Sequence, residues 1–165
     1  MIQLKPISRD SIPRAIQKAE RYRLLNQSWA AESICLDILE VDPGNQQVLV
    51  MLLLSLTDQF GAEPGDLTRR AQSLLAHLTD PYQQLYYAGI IDERLGHAKL
   101  SHNAMHAEAI AYRLFRTAMS SYDQAAALRK PGNDDALLRW NTCARTIDRL
   151  GLKEEVDIYE PVLGE

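Results

Sequence analysis

The chain has 165 residues, 46% apolar and 24% charged, which suits one ordinary globular domain and excludes a disordered chain. Its formal net charge of −4 argues against a surface built to hold nucleic acid phosphates. Two cysteines cannot make a disulfide framework, which points to a reducing, cytoplasmic setting.

Helical spacing recurs along the chain, while period-two alternation is nearly absent. Ile12, Ala15, Ala19 and Tyr22 fall on one stripe, with Asp10 or Ser11 as cap and Pro13 suited to a first turn. After a turn at Asn26-Gln27, a second stripe carries Ala31, Ile34, Cys35, Ile38 and Val41. Asp42-Pro43-Gly44-Asn45 breaks it, since proline cannot continue a helix and glycine and asparagine accept turn dihedrals. A third helix is predicted from about Gln46 to Gln59; it is apolar on nearly every face and should be the most buried. Beyond the Gly61–Gly65 loop, Asp66 would cap a fourth helix carrying Leu67, Ala71, Leu74, Leu75 and Leu78. Asp80-Pro81 opens a fifth, from about Tyr82 to Leu95, with Gly96 as its expected end. A long helix is predicted near 102–129, ended by Lys130-Pro131-Gly132-Asn133. Asp134 and Asp135 open a last helix through Leu137, Leu138, Trp140, Cys143, Ala144, Ile147 and Leu150, which Gly151 ends. The expectation is therefore an all-α domain of about seven helices over 1–150.

The remaining residues, 151–165, form an acidic tail. Residues 1–150 hold 17 Lys/Arg and 17 Asp/Glu, so the whole charge excess lies in that tail. The N-terminal ten residues carry charges and Pro6 where a secretory signal needs an apolar run. The strongest apolar run, Val48–Leu54, is far short of the ~20 residues that span a bilayer. No membrane association is expected.

Pro-Gly-Asn occurs at 43–45 and 131–133, and Asp-Pro at 42–43 and 80–81, each between two predicted helices. The helix-ending prolines lie 38 and 50 residues apart. A helix pair per ~34 residues, closed by proline, is the pattern of the tetratricopeptide repeat. Residues 12–45 resemble such a unit: Ala19 and Ala31 are small, and Tyr22 aromatic, where the repeat has such residues. Residues 46–81 are similar. So are Ala88-Gly89, Glu93–Gly96, Ala118, Tyr122 and Ala125 before Pro131, with an insertion between the helices.

The resemblance implies a right-handed superhelix of antiparallel helix pairs, with a concave groove lined by the first helix of each pair. It maps Ile16, Glu20 and Arg23 to the groove from the first unit. The second unit contributes Gln47, Val50, Leu54 and Thr57, and the third Gln83, Tyr86, Ile90 and Glu93. An apolar centre with polar ends suits a docked peptide or amphipathic helix. Repeats that clamp the carboxylate end of chaperone tails use lysines and asparagines. Ile16, Glu20 and Met51 occupy those places here, so that subclass is not expected. A bare apolar groove would need covering by a partner, a second subunit or the tail with Val156, Ile158, Tyr159 and Val162.

No catalytic set assembles. His97, His102 and His106 lie close in sequence, and His102 and His106 at i, i+4 would share a helix face. The spacing lacks a complete ligand set, so neither a metal nor a cofactor is expected. Asp134-Asp135 reads as an acidic first turn favouring the helix dipole, and Asp92-Glu93 point different ways. Cys35 and Cys143 sit on apolar stripes as packing residues. Arg14, Lys18, Arg21 and Arg23 form a basic cluster, either a solvated face or a site for an anionic peptide. The expected role is non-catalytic protein–protein interaction with a protein or peptide partner. The alternatives are a homo-oligomeric structural subunit, such as a homodimer through the long helix, and a metal-binding or enzymatic protein using His97–His106.

Overall fold

The computed structural model describes residues 2–61, 64–102 and 106–154. These form seven α-helices and no strand: α1 (Ile12–Leu24), α2 (Ser28–Val41), α3 (Gln46–Thr57), α4 (Gly65–Leu75), α5 (Pro81–Ser101), α6 (Ala107–Leu128) and α7 (Asp135–Leu150). No helix among the described residues is long and apolar enough to cross a membrane.

Local chemistry sets most of the ends. Asn45 caps α3, its side-chain oxygen accepting the Val48 N–H at 3.1 Å, and Asp80 caps α5 through the Tyr82 N–H at 2.9 Å. Asn26 ends α1 in the left-handed region at φ 57°, while the Gln27 N–H reaches back to the Tyr22 carbonyl at 2.8 Å. Gly151 does the same for α7 at φ 63°; the Leu152 N–H bonds the Ile147 carbonyl at 3.0 Å, and Leu152 is buried beneath the helix end. Asp66 is not a cap: α4 starts one residue earlier, and the Asp66 carboxylate pairs with Arg69 at 3.0 Å. Neither Asp10 nor Ser11 caps α1; the Ser11 hydroxyl donates to the Ser8 carbonyl at 2.7 Å.

Gly96 does not stop α5. The helix runs five residues further because the glycine serves packing: a Cβ there would lie 3.0 Å from Phe115. Gly89 is tighter still, at 2.5 Å from the Tyr122 ring. These two contacts, 89 to 122 and 96 to 115, show α5 and α6 antiparallel and closely packed along their length. The helix expected over 102–129 begins at Ala107, so His102 lies past the end of α5 and His106 precedes α6 at φ 61°. The two histidines share no helix face.

Each helix packs on its chain neighbours, and α1 also touches α3, as α3 touches α5. Two hydrophobic cores result. The first, among α1–α4, centres on Ala19, Ala31, Cys35, Ile38, Val48, Leu53, Leu56 and Ala71. The second, among α5–α7, centres on Phe115, Ala118, Tyr122, Ala125 and Cys143. Helix α5 serves both, Ile91 entering the first core and Ile90 the second, while Leu54 and Tyr87 touch the two. Eight of the twelve residues of α3 are buried, as its apolar character requires. Cys35 and Cys143 are buried free thiols. Burial pushes each up to about 12, so neither is a nucleophile at neutral pH.

Candidate protein-docking face

The odd-numbered helices are tied together by polar side chains. Gln47 of α3 donates to Glu20 of α1 at 3.5 Å. Arg23 of α1 pairs through Nε with Asp58 at 2.8 Å, just beyond α3, and Ser28 donates to the same carboxylate oxygen at 3.2 Å. Arg94 of α5 pairs with the other Asp58 oxygen and donates to the Leu54 carbonyl at 3.2 Å. Its Nη1 also donates to the Thr57 hydroxyl at 2.6 Å. Glu93, 3% exposed, accepts from Arg139 of α7 at 3.1 Å and from the Tyr122 hydroxyl at 2.6 Å.

Charge explains the order of these ties. Burial lowers the Arg94 pKa, Asp58 raises it, and the nearby Arg23 and Arg139 guanidiniums lower it further. The three cations come from α1, α5 and α7; Asp58 pairs with Arg23 and Arg94, and Glu93 pairs with Arg139. Burial raises the Tyr122 hydroxyl well above its ordinary value and the Glu93 carboxylate acts in the same direction, so the phenol stays neutral and donates. Among the described residues no buried side-chain polar atom lacks a hydrogen-bond partner.

The expected groove residues divide into three groups. Glu20 and Gln47 are exposed, and Val50 and Gln83 are half-buried; Val50 belongs to neither core. Ile16, Arg23, Leu54 and Tyr86 are half-buried and engaged. Ile16 packs on the first core, Leu54 on both, and Tyr86 among the rings of Tyr82, Tyr87 and Tyr122 at 5.8, 5.1 and 5.9 Å. Ile90, Thr57 and Glu93 are corrections, since none is exposed enough to line an open groove. Ile90 belongs to the second core, because α6 closes over that side of α5; Thr57 is engaged by Arg94, and Glu93 by Arg139 and Tyr122. The acidic tail lies outside the described residues from Glu155 onward, including Val156, Ile158, Tyr159 and Val162.

Sequence reading missed Asp58, Arg94 and Arg139 as the residues that bind this face together. Asp58 follows Leu54 by one helical turn, and Arg94 follows Glu93, so the spacing alone placed them near the expected stripe. It also missed a cleft of about 550 Å³ at the end of the face, between the α1–α2 turn and Asp58-Gln59, with Leu24 and Trp29 on its rim. Among the described residues no group of three or more His, Cys, Asp or Glu is placed to hold a metal ion. His97 instead sets its ring edge-on to Phe115, 5.0 Å between centroids.

Asp92 diverges from its neighbour Glu93 and makes no hydrogen bond or ion pair among the described residues. Burial pushes its carboxyl from 3.8 up to about 6. A carboxyl raised in the fold costs stability as pH climbs through that interval, and the full cost applies above it. Asp92→Asn should therefore leave stability nearly unchanged at about pH 4 and raise it at pH 7 by about 1 kcal/mol, allowing for solvent screening. Urea unfolding at the two pH values reads this; no gain at pH 7 would mean that water already solvates the carboxylate.

Compared with protein-family models, with curated proteins and with solved structures, the chain finds no match in any of the three.

Proposed function

We propose that the chain is a non-catalytic docking module, a tetratricopeptide-like solenoid working in the reducing cytoplasm. Its odd-numbered helices present one composite face to a partner peptide or helix. The observation that carries this reading is the skip in helix contacts: α1 meets α3 and α3 meets α5, in addition to each meeting its chain neighbour. Such a skip is what stacked helix pairs with aligned first helices would give. Ala19 and Ala31, both 0% exposed, are small where paired helices of such a repeat approach. The strong charges on the face are spent on one another, in the pairs of Asp58 with Arg23 and Arg94 and of Glu93 with Arg139. They act as scaffold, and Glu20, Gln47, Val50 and Gln83 are left to meet a partner.

Two substitutions on α3 separate face from core. Val50→Glu should keep the melting temperature within a few degrees, because Val50 packs on neither core. Leu54→Glu should lose about 3–5 kcal/mol, because Leu54 is wedged between both cores and a carboxylate there has no free cation. A photocrosslinking residue at Gln47, in the native cell, should give one discrete adduct that Val50→Glu abolishes. Adducts of twice the chain mass would favour the homo-oligomeric alternative. A Val50→Glu protein that folds and gives an undiminished adduct would remove this face as the docking surface.

A further inference from the structure

The outer face of α1 carries features that the packing of the fold does not use. Arg14, Lys18 and Arg21 stand at i, i+4 and i+7, which aligns them on one stripe of the helix. All three are exposed, and none makes an ion pair among the described residues. The acids nearest in sequence are Asp10, a turn before Arg14, and Glu20, which Gln47 already engages. The stripe ends in exposed apolar side chains: Leu24 is 86% exposed, Leu25 58% and Trp29 68%. Leu24 and Trp29 border the cleft of about 550 Å³. A solvent-exposed helix face is ordinarily polar. Two leucines and a tryptophan beside a cleft depart from that pattern, and tryptophan at the edge of a concavity is a common binding anchor.

We propose that the outer face of α1 and the adjoining Trp29 cleft form a docking site for an acidic amphipathic helix of a partner protein. The complementarity is of charge and of shape. Carboxylates one helical turn apart match Arg14, Lys18 and Arg21, and an apolar side chain at the end of that row enters the cleft beside Leu24 and Trp29. Phosphate-bearing surfaces fit less well. A recessed site lined by Leu24 and Trp29 suits a single inserted apolar side chain better than a lipid surface. The site rests on the reading above only in requiring a protein partner, and it adds that partner's chemistry.

The test begins with a displayed library of helical peptides selected on the full chain. Peptides rich in Asp or Glu at i, i+4 and i+7, with a leucine or aromatic residue beside them, are expected. Binding is then followed by the emission of Trp29 in a Trp140→Phe background, where it is the sole indole. A blue shift that saturates is expected. The combined Arg14→Glu, Lys18→Glu and Arg21→Glu variant should weaken binding about tenfold or more, and so should raised salt. Circular dichroism confirms that this variant folds. Val50→Glu should leave peptide binding unchanged, so this site and the odd-helix face can fail separately. Neutral or basic winning peptides, binding that survives the triple charge reversal, or a larger Trp29 shift with phosphatidylserine vesicles than with the selected peptides would each overturn the proposal.

Discussion

Replacing Glu93 with alanine should cost the fold about 3–5 kcal/mol, the penalty for leaving a buried charge partner unpaired. Glu93 is 3% exposed and accepts from Arg139 of α7 and Tyr122 of α6, so it links both helices to α5. Without it, a neutral phenol loses its acceptor in the core and a half-buried guanidinium loses its counter-charge. At about 2–4 °C per kcal/mol, the melting temperature should fall by roughly 10 °C. Tyr122→Phe removes one charge-assisted hydrogen bond and should cost less, about 1.5–3 kcal/mol. The informative variant is the combination of Glu93→Met, Arg139→Met and Tyr122→Phe. It removes every member of the buried set, so it should recover much of what Glu93→Ala loses. Urea unfolding of the four proteins decides. A loss below about 1 kcal/mol for Glu93→Ala would mean that water enters to solvate Arg139 and Tyr122.

The same region shows what the sequence could convey. The burial of α3 was legible because its apolar residues leave no polar face to turn outward. The turns at Asn26, Pro43, Pro131 and Gly151 were legible from single residues: proline fixes its own φ, and asparagine and glycine accept the left-handed backbone that ends α1 and α7. Gly96 was misread because glycine has two uses, ending a helix or admitting a neighbour, and only the Phe115 ring nineteen residues on distinguishes them. Ile90 and Ile91 are identical in kind and adjacent, so helical spacing could not say which enters the second core; the position of α6 decides it. The divergence of Asp92 and Glu93 followed from helix geometry alone. That Glu93 acquires Arg139, while Asp92 has no partner among the described residues, depends on a residue more than forty positions away. The exposure of Glu20 and Gln47 was thus readable from local pattern, and the ion pairs that tie α1, α3 and α5 together were not.

Gly89→Ala should be among the most damaging single-methyl additions in the chain. A Cβ at Gly89 would lie 2.5 Å from one ring carbon of Tyr122 and 2.8 Å from two others. Those are atoms of a rigid ring, not the free end of a flexible chain. The ring has little room to withdraw: its hydroxyl is held by Glu93 at 2.6 Å, and the Tyr86 ring lies 5.9 Å away. Relief must come from separating α5 and α6 around this point, which opens the second core. Overpacking of this kind costs typically about 1–3 kcal/mol, and the upper part of that range is expected here despite the ~1 kcal/mol that alanine gains over glycine in helix propensity. Gly96→Ala meets Phe115 at 3.0 Å, where a shift of a few tenths of an ångström suffices, and should cost less. Gly44→Ala meets nothing within 4 Å and should be close to neutral. Trimming the ring with Tyr122→Leu destabilises on its own, but in the Gly89→Ala background it should cost much less, since it removes the clash. A double-mutant cycle reads this as a favourable coupling of at least about 1 kcal/mol. Additivity of the two changes would mean that the helices already separate enough to admit the methyl group, and that glycine is not what holds α5 against α6.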